Sequence, residues 1–185
     1  MAANFMRILF GKRAEALQEE DGSRGSYAKM IERREDDVDR LTARELTFMM
    51  MRDSFYMATI TDDDWPYIQH RGGPRGFLKH IEGNRIGFSD YGGNRQFVSA
   101  ANIDDRQRIA LFLMDYPEKR RLKIVGTAHW QTADQGDPLW DHLVDPAYPV
   151  ENQRFFLIDV LGFDWNCPQH ITPRYTQAEL KALQQ

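Results

Sequence analysis

In the run "FSDYGGNRQFVSAANI", from Phe88 to Ile103, a β-type segment ends at Asp90. Two glycines follow, and then Asn94, Arg95 and Gln96 lead into a helix-like pattern. A helix starting at Asn94 presents free N–H groups and a positive dipole end, the ingredients of an anion site. Gly92 and Gly93 allow positive φ and close approach of the backbone. Arg95 supplies a charged fork that matches a phosphate. The same residues also make an asparagine-capped glycine turn with a surface arginine, and taken alone this plainer reading is the stronger one.

A second segment reverses that balance. "YIQHRGGPRGFLK" sets Gln69, His70, Arg71, Arg75 and Lys79 among three glycines and Pro74, between two extended runs. Glycines weaken a strand, so three of them make sense where another molecule lies against the backbone. An irregular edge strand with a bulge is the structural alternative, and it also tolerates the proline. With two such segments close in sequence, ligand binding is the better explanation.

Other chemistries find little support. His70, His80, His129, His142 and His170 form no i, i+4 pair, and no cysteine accompanies them at zinc spacing, so no metal site is expected. Cys167 and His170 stand three residues apart in an extended segment, poor geometry for an activated nucleophile. The acidic groups in "DDVD" and "TDDDW" read as solvated turns. Walker, Rossmann and G-x-S-x-G fingerprints are missing. A net charge of −4 argues against a strongly basic nucleic-acid binder. The single cysteine rules out an intrachain disulfide, and a reducing, cytoplasmic setting is the default. "MAANFMRILFGKR" lacks the pattern of a signal peptide, and no apolar run reaches membrane-spanning length, so a soluble protein is expected.

The elements that must position these residues follow from pattern. Residues 1–40 form a polar N-terminal extension, with a short helix at "KRAEALQEED" and a charge run at "IERREDDVDR". Thr42 and Glu45 make a capping box and Leu41 and Leu46 a hydrophobic staple, which places a helix at about residues 43–52. "SFYMATIT", "PYIQHR", "GFLKHI", "RIGFSD", "RIALFLMDY", "RLKIVGTAHWQT" and "RFFLIDVLGFDW" read as strands, the third and fourth as a hairpin across "EGN". Asp137 and Pro138 predict a helix start in "GDPLWDHLV". Thr176 and Glu179 repeat the capping box ahead of a short C-terminal helix, residues 176–185. Six or seven strands in hairpin order predict a mainly β fold, an antiparallel barrel over residues 41–175 with peripheral helices.

With those motifs in place, the chain resembles the pyridoxamine 5′-phosphate oxidase-like flavoproteins, the FMN-binding split barrels. It is most similar to a bacterial branch that carries "YIQHRGGP-GFLK", "F-GNRQ" and "NCPQHI" segments, from about Tyr27 to Arg174. The resemblance implies a six- to seven-stranded split β-barrel, a homodimer, and one noncovalent FMN per subunit at the subunit interface. "FSDYGGNRQ" falls where the oxidase has "YTN-x-x-SRK". Ser89 and Asp90 are then expected beside the flavin ring, and Asn94, Arg95 and Gln96 at the phosphate. Lys79 corresponds to a second phosphate-side lysine, and Arg121 to a flavin-contacting glutamine.

Departures from the oxidase pattern are informative. Gln96 replaces a lysine, and Pro74 stands where the oxidase has a phosphate-binding arginine, which leaves Arg71 or Arg75 to compensate. The C-terminal tryptophan and arginine that hold pyridoxal phosphate have no clean counterpart, so vitamin B6 oxidation is disfavoured while FMN binding is kept. In a dimer, Trp165, Gln169 and His170 of the tail "DWNCPQHITPR" reach a flavin or its substrate; otherwise Trp165 is core and the rest a capping loop. The function implied is a flavin-dependent oxidoreductase acting on a small organic molecule. A flavin-binding sensor or carrier without turnover, and a deazaflavin-dependent reductase, are the alternatives. No catalytic residue is assigned; Gln69 is a substrate-side candidate, and His70 or His170 is the better candidate for a proton donor.

Overall fold

The computed structural model describes residues 3–32, 38–165 and 167–184. Three short helices open the chain: α1 (Ala3–Leu9), α2 (Lys12–Asp21) and α3 (Arg24–Glu32). Then come α4 (Ala43–Met50), β1 (Ser54–Ile60), β2 (Pro66–Gly72), β3 (Lys79–Glu82) and β4 (Arg85–Tyr91). The rest is α5 (Val98–Arg106), β5 (Arg108–Asp115), β6 (Arg120–Thr132), α6 (Trp140–Leu143), β7 (Asn152–Trp165) and α7 (Gln177–Ala182). The predicted charge run at residues 31–40 lies partly outside the described residues.

The seven strands form one antiparallel sheet in the order β2-β1-β5-β6-β7-β4-β3. Alternation along the strands gives the sheet a buried inner face that holds the main core. On β5, Ile109, Leu111 and Leu113 are buried, while Ala110, Phe112 and Met114 between them are only half-buried. The inward set meets Phe55 and Met57 of β1, Leu122 and Ile124 of β6, and Phe156 and Ile158 of β7. The sheet curls until its edges approach: Arg71 of β2 pairs with Asp90 of β4 at 2.5 Å, although β1, β5, β6 and β7 separate those strands in the hydrogen-bonded order. This ion pair spans the seam of the barrel.

The capping box at Thr42 and Glu45 starts α4 as its spacing predicts. Thr176 and Glu179 do the same for α7. α1 is tied to the barrel by one buried carboxylate. Asn4 and Phe5 donate their backbone N–H groups to Asp39 at 3.1 and 2.8 Å, so Asp39 caps α1 from a distant point in the chain. The backbone of Phe5 lies so close to Gly162 of β7 that a Cβ there would sit 2.7 Å from it.

Two expected helix starts differ. The helix after the glycine pair begins at Val98, not at Asn94. Arg95 and Phe97 adopt left-handed backbone, with φ of 56° and 55°, which cannot continue into an α-helix. Asn94 serves instead as a local turn, its Oδ1 accepting from the N–H of Gln96 at 3.2 Å. Similarly, Asp137 accepts from the N–H of Leu139 at 2.7 Å, but it holds a turn, and the single-turn α6 starts only at Trp140.

Candidate functional site at the barrel seam

Strand alternation puts Tyr67, Gln69 and Arg71 on the inner face of β2, opposite Thr59, Met57 and Phe55 of β1. His70 takes the outer face, where its ring meets Tyr56 edge-on at 5.7 Å. Across the seam, β4 delivers Ser89 and Asp90 just before the glycine pair. β7 runs beside β4 in a register that sets Arg154 opposite Asp90. Asp90 therefore accepts from two guanidiniums, Arg71 at 2.5 Å and Arg154 at 3.2 Å.

α5 closes the site from above. Its buried Asn102 donates to Thr59 at 2.8 Å, and the Ser99 hydroxyl donates to Oε1 of the Gln69 side chain at 3.0 Å. The Arg154 guanidinium lies 4.7 Å from the ring centre of Phe97 and 5.3 Å from that of Trp130. Phe97 precedes the helix without a side-chain cap, so the first amides of α5 stay available. Val98, Ser99 and Ala100 of that first turn line a cavity of about 180 Å³. Its wall also includes Gln69, Arg71, Asp90, Asn94, Arg95 and Gln96. A neighbouring cavity of about 160 Å³ shares Gln69, Arg71 and Asp90 and adds Ser89 and His70 over Phe77 and Phe88.

The electrostatics favour an anion. Three arginines, Arg71, Arg95 and Arg154, line the cavity with one carboxylate, that of Asp90, which pairs with Arg71 and Arg154. Burial lowers the Arg71 pKa from its ordinary value, and Asp90 works in the opposite direction. The wall also holds polar atoms without partners: Arg71 Nε, Ser89 Oγ and the Tyr91 hydroxyl are buried and make no hydrogen bond among the described residues. Groups of this kind are costly unless something completes them. Burial, with Tyr148 and Asp145 nearby, pushes the Tyr91 pKa up to about 12. Donors outnumber acceptors here, which fits a phosphate-bearing group with a polar chain.

The structure thus draws Gln69, His70, Arg71, Ser89, Asp90, Asn94, Arg95 and Gln96 around one seam. It places the other named residues elsewhere in the subunit. Arg75 is exposed and does not line the seam cavities. Lys79 opens β3, paired with Gly87. Arg121 sits on β6 opposite Met114, its Nε buried and unpartnered. Trp165 ends β7 inside the far end of the barrel: its indole donates to Glu45 at 2.7 Å and packs on Phe48. Gln169 and His170 lie in the exposed tail. Tyr91, Phe97, Ser99 and Arg154 join the site without having been singled out. A signal for Arg154 existed, since it is a lone charge entering the apolar run "FFLI".

No family model and no curated protein matches the chain. Among solved structures it is similar to HupZ from Group A Streptococcus, at 15% identity and a TM-score of 0.54, over 73% of this chain and 100% of that one. It is also similar to a candidate pyridoxamine 5′-phosphate oxidase from Lactobacillus delbrueckii, at 17% identity and a TM-score of 0.51, over 68% of this chain and 93% of that one. At these identities the likeness is one of fold. The chain has the split-barrel fold of the pyridoxamine 5′-phosphate oxidase-like proteins.

Proposed function

We propose that the protein binds FMN at the barrel seam and acts as a flavin-dependent oxidoreductase on a small organic substrate. The observation that carries this reading is the seam itself. Three guanidiniums and the open amides of α5 converge on a cavity whose wall holds buried, unpartnered polar atoms. Arg95, Asn94, Gln96 and the first turn of α5 are the phosphate-side donors. Ser89, the Gln69 amide and Tyr91 are the candidates for hydrogen bonds to the ring and chain. When bound, the flavin supplies two-electron transfer chemistry that no side chain here provides. The protein's own part is to fix the phosphate, orient the ring and exclude water over Phe77 and Phe88.

A second reading, flavin carriage without turnover, draws on the same residues. Tyr91 is pushed up to about 12, so it is no proton carrier near neutral pH, and Asp90 is engaged by two arginines. The visible spectrum of freshly purified protein, with mass spectrometry of what it releases on denaturation, tests the cofactor. Yellow protein that releases FMN supports binding; colourless protein that takes up no added FMN overturns it. Reduction by a nicotinamide donor followed by reoxidation by a substrate then separates enzyme from carrier.

The homodimer belongs to the same proposal. The outer face of β2, β1 and β5 carries Ile68, Tyr56, Ala58, Ala110 and Phe112, an apolar surface with Ile68 66% exposed. Covering it with a second copy removes that area from water. A partner subunit is also the route by which Arg121 or the exposed tail would meet a flavin held in the neighbouring seam.

A further inference from the structure

A second basic cavity, of about 510 Å³, lies at the end of the barrel under α4 and shares no lining residue with the seam. Arg44, Thr47 and Met51 line it from the α4 side, and Arg52, Asp115 and Arg120 from the adjoining strands and turns, with Phe48 as an apolar wall. Its three guanidiniums are not equivalent. Arg52 is committed: it pairs with Asp115 at 2.8 Å and donates to the carbonyl oxygen of Met114 at 3.0 Å. Arg44 and Arg120 have no carboxylate partner among the described residues. Both are held in place by one indole, their guanidinium carbons 4.5 and 5.1 Å from the Trp165 ring centre. Arg120 also lies 5.3 Å from the ring centre of Phe48.

Two like charges gathered at one ring repel each other unless an anion joins them. Nearby carboxylates are otherwise engaged. Glu45, behind the indole, accepts from the Thr42 N–H, the Thr42 hydroxyl and Trp165 Nε1. Glu179 of α7 accepts from the Thr176 N–H at 2.7 Å and the Thr176 hydroxyl at 2.9 Å. Meanwhile aromatic stacking holds both guanidiniums ready, which lowers the cost of ordering them around a ligand. Phe48 and the 47% exposed Met51 offer apolar contact beside them.

We infer that this cavity is a second ligand site, which binds a small phosphate-bearing molecule with an apolar body. Arg44 and Arg120 take the phosphate oxygens, Thr47 adds a hydroxyl, and Phe48 and Met51 receive the apolar part. The inference does not depend on flavin binding at the seam.

Calorimetric titration of the full chain with phenyl phosphate, at constant ionic strength, tests it. The expected result is saturable binding tighter than that of inorganic phosphate. Arg44→Ala and Arg120→Gln should each weaken it about tenfold or more, as loss of a charge-assisted contact does. Arg95→Ala, at the seam, should leave this binding in place. Both arginines in the test are exposed, so their variants should keep the parent melting temperature, which a thermal melt checks. Absence of saturable binding overturns the inference, as does equal affinity for inorganic phosphate. Binding that disappears in Arg95→Ala and survives in the Arg44 and Arg120 variants belongs to the seam and also overturns it.

Discussion

At the scale of single residues, charge is what distinguishes the seam. Arg95 is exposed and forms no ion pair among the described residues, so its guanidinium is free to meet a phosphate. Arg95→Ala should weaken FMN binding by about 1.5–3 kcal/mol, the worth of a hydrogen bond to a charged group. Flavin fluorescence titration measures this, and an unchanged Kd would remove Arg95 from the site. Tyr91 gives a pH test. Its folded-state pKa, about 12, lies above the ordinary value of 10.0. The folded state therefore keeps the phenol proton while the unfolded chain loses it. That contribution to stability is fully present below pH 10 and is lost as pH rises toward 12. Tyr91→Phe should show a shallower fall in melting temperature across that window than the parent; identical slopes would contradict the burial of the hydroxyl.

Some of the site was legible at this scale. The glycine pair and Arg95 taken alone read as a plain turn, and it was the three glycines of "YIQHRGGPRGFLK" that pointed to a ligand, because glycines are costly in a strand without such a reason. Arg154 was legible only as a lone charge ahead of an apolar run; its role comes from the register of β7 against β4, which places it opposite Asp90. The start of α5 was misplaced by four residues because Arg95 and Phe97 take left-handed backbone. Nothing in those side chains announces that conformation; tertiary contacts of Phe97 with Arg154 accompany it. Trp165 had two readings, and within one subunit its bond to Glu45 and contact with Phe48 correspond to the core one.

At the scale of elements, capping decides what is held where. Strands and hairpins followed from alternation, and α4 and α7 from Thr-x-x-Glu spacing, because these are local signals. The docking of α1 was hidden, since its cap, Asp39, is 34 residues from Phe5 in sequence. Asp39 is 2% exposed, and it also accepts from the Phe163 N–H at 3.4 Å. Asp39→Ala leaves buried donors at the start of α1 and at β7 without an acceptor, at a cost of about 1–3 kcal/mol. Amide hydrogen exchange should then speed up across residues 3–9 first, while the central strands β5 and β6 stay protected. Uniform acceleration over the whole sheet would show that α1 is part of the barrel's cooperative unit and not an attached cover.

For the whole molecule, the outer face of the sheet is where the proposed dimer contact is tested. A lone barrel leaves Ile68 66% and Tyr56 42% exposed on the same side as half-buried Ala110 and Phe112. Scattered apolar side chains on a surface need no explanation, but a contiguous set on adjacent strands does. A second copy placed on this face would bury the set around a two-fold axis, so that each substitution acts twice. The parent protein is therefore expected to show twice the 21.7 kDa chain mass by light scattering. Ile68→Asp puts two charges into that apolar contact, and it should shift the mass to that of one chain at micromolar concentration. Ile68 is exposed on an edge strand in the single subunit, so the same variant should fold with a near-parent circular dichroism spectrum. A parent that is already monomeric, or an Ile68→Asp variant that remains a dimer, would move the contact away from this face. If the variant is monomeric and also loses FMN, the partner subunit contributes to the seam. If it is monomeric and keeps FMN, the residues gathered by β2, β4, β7 and α5 hold the flavin without help.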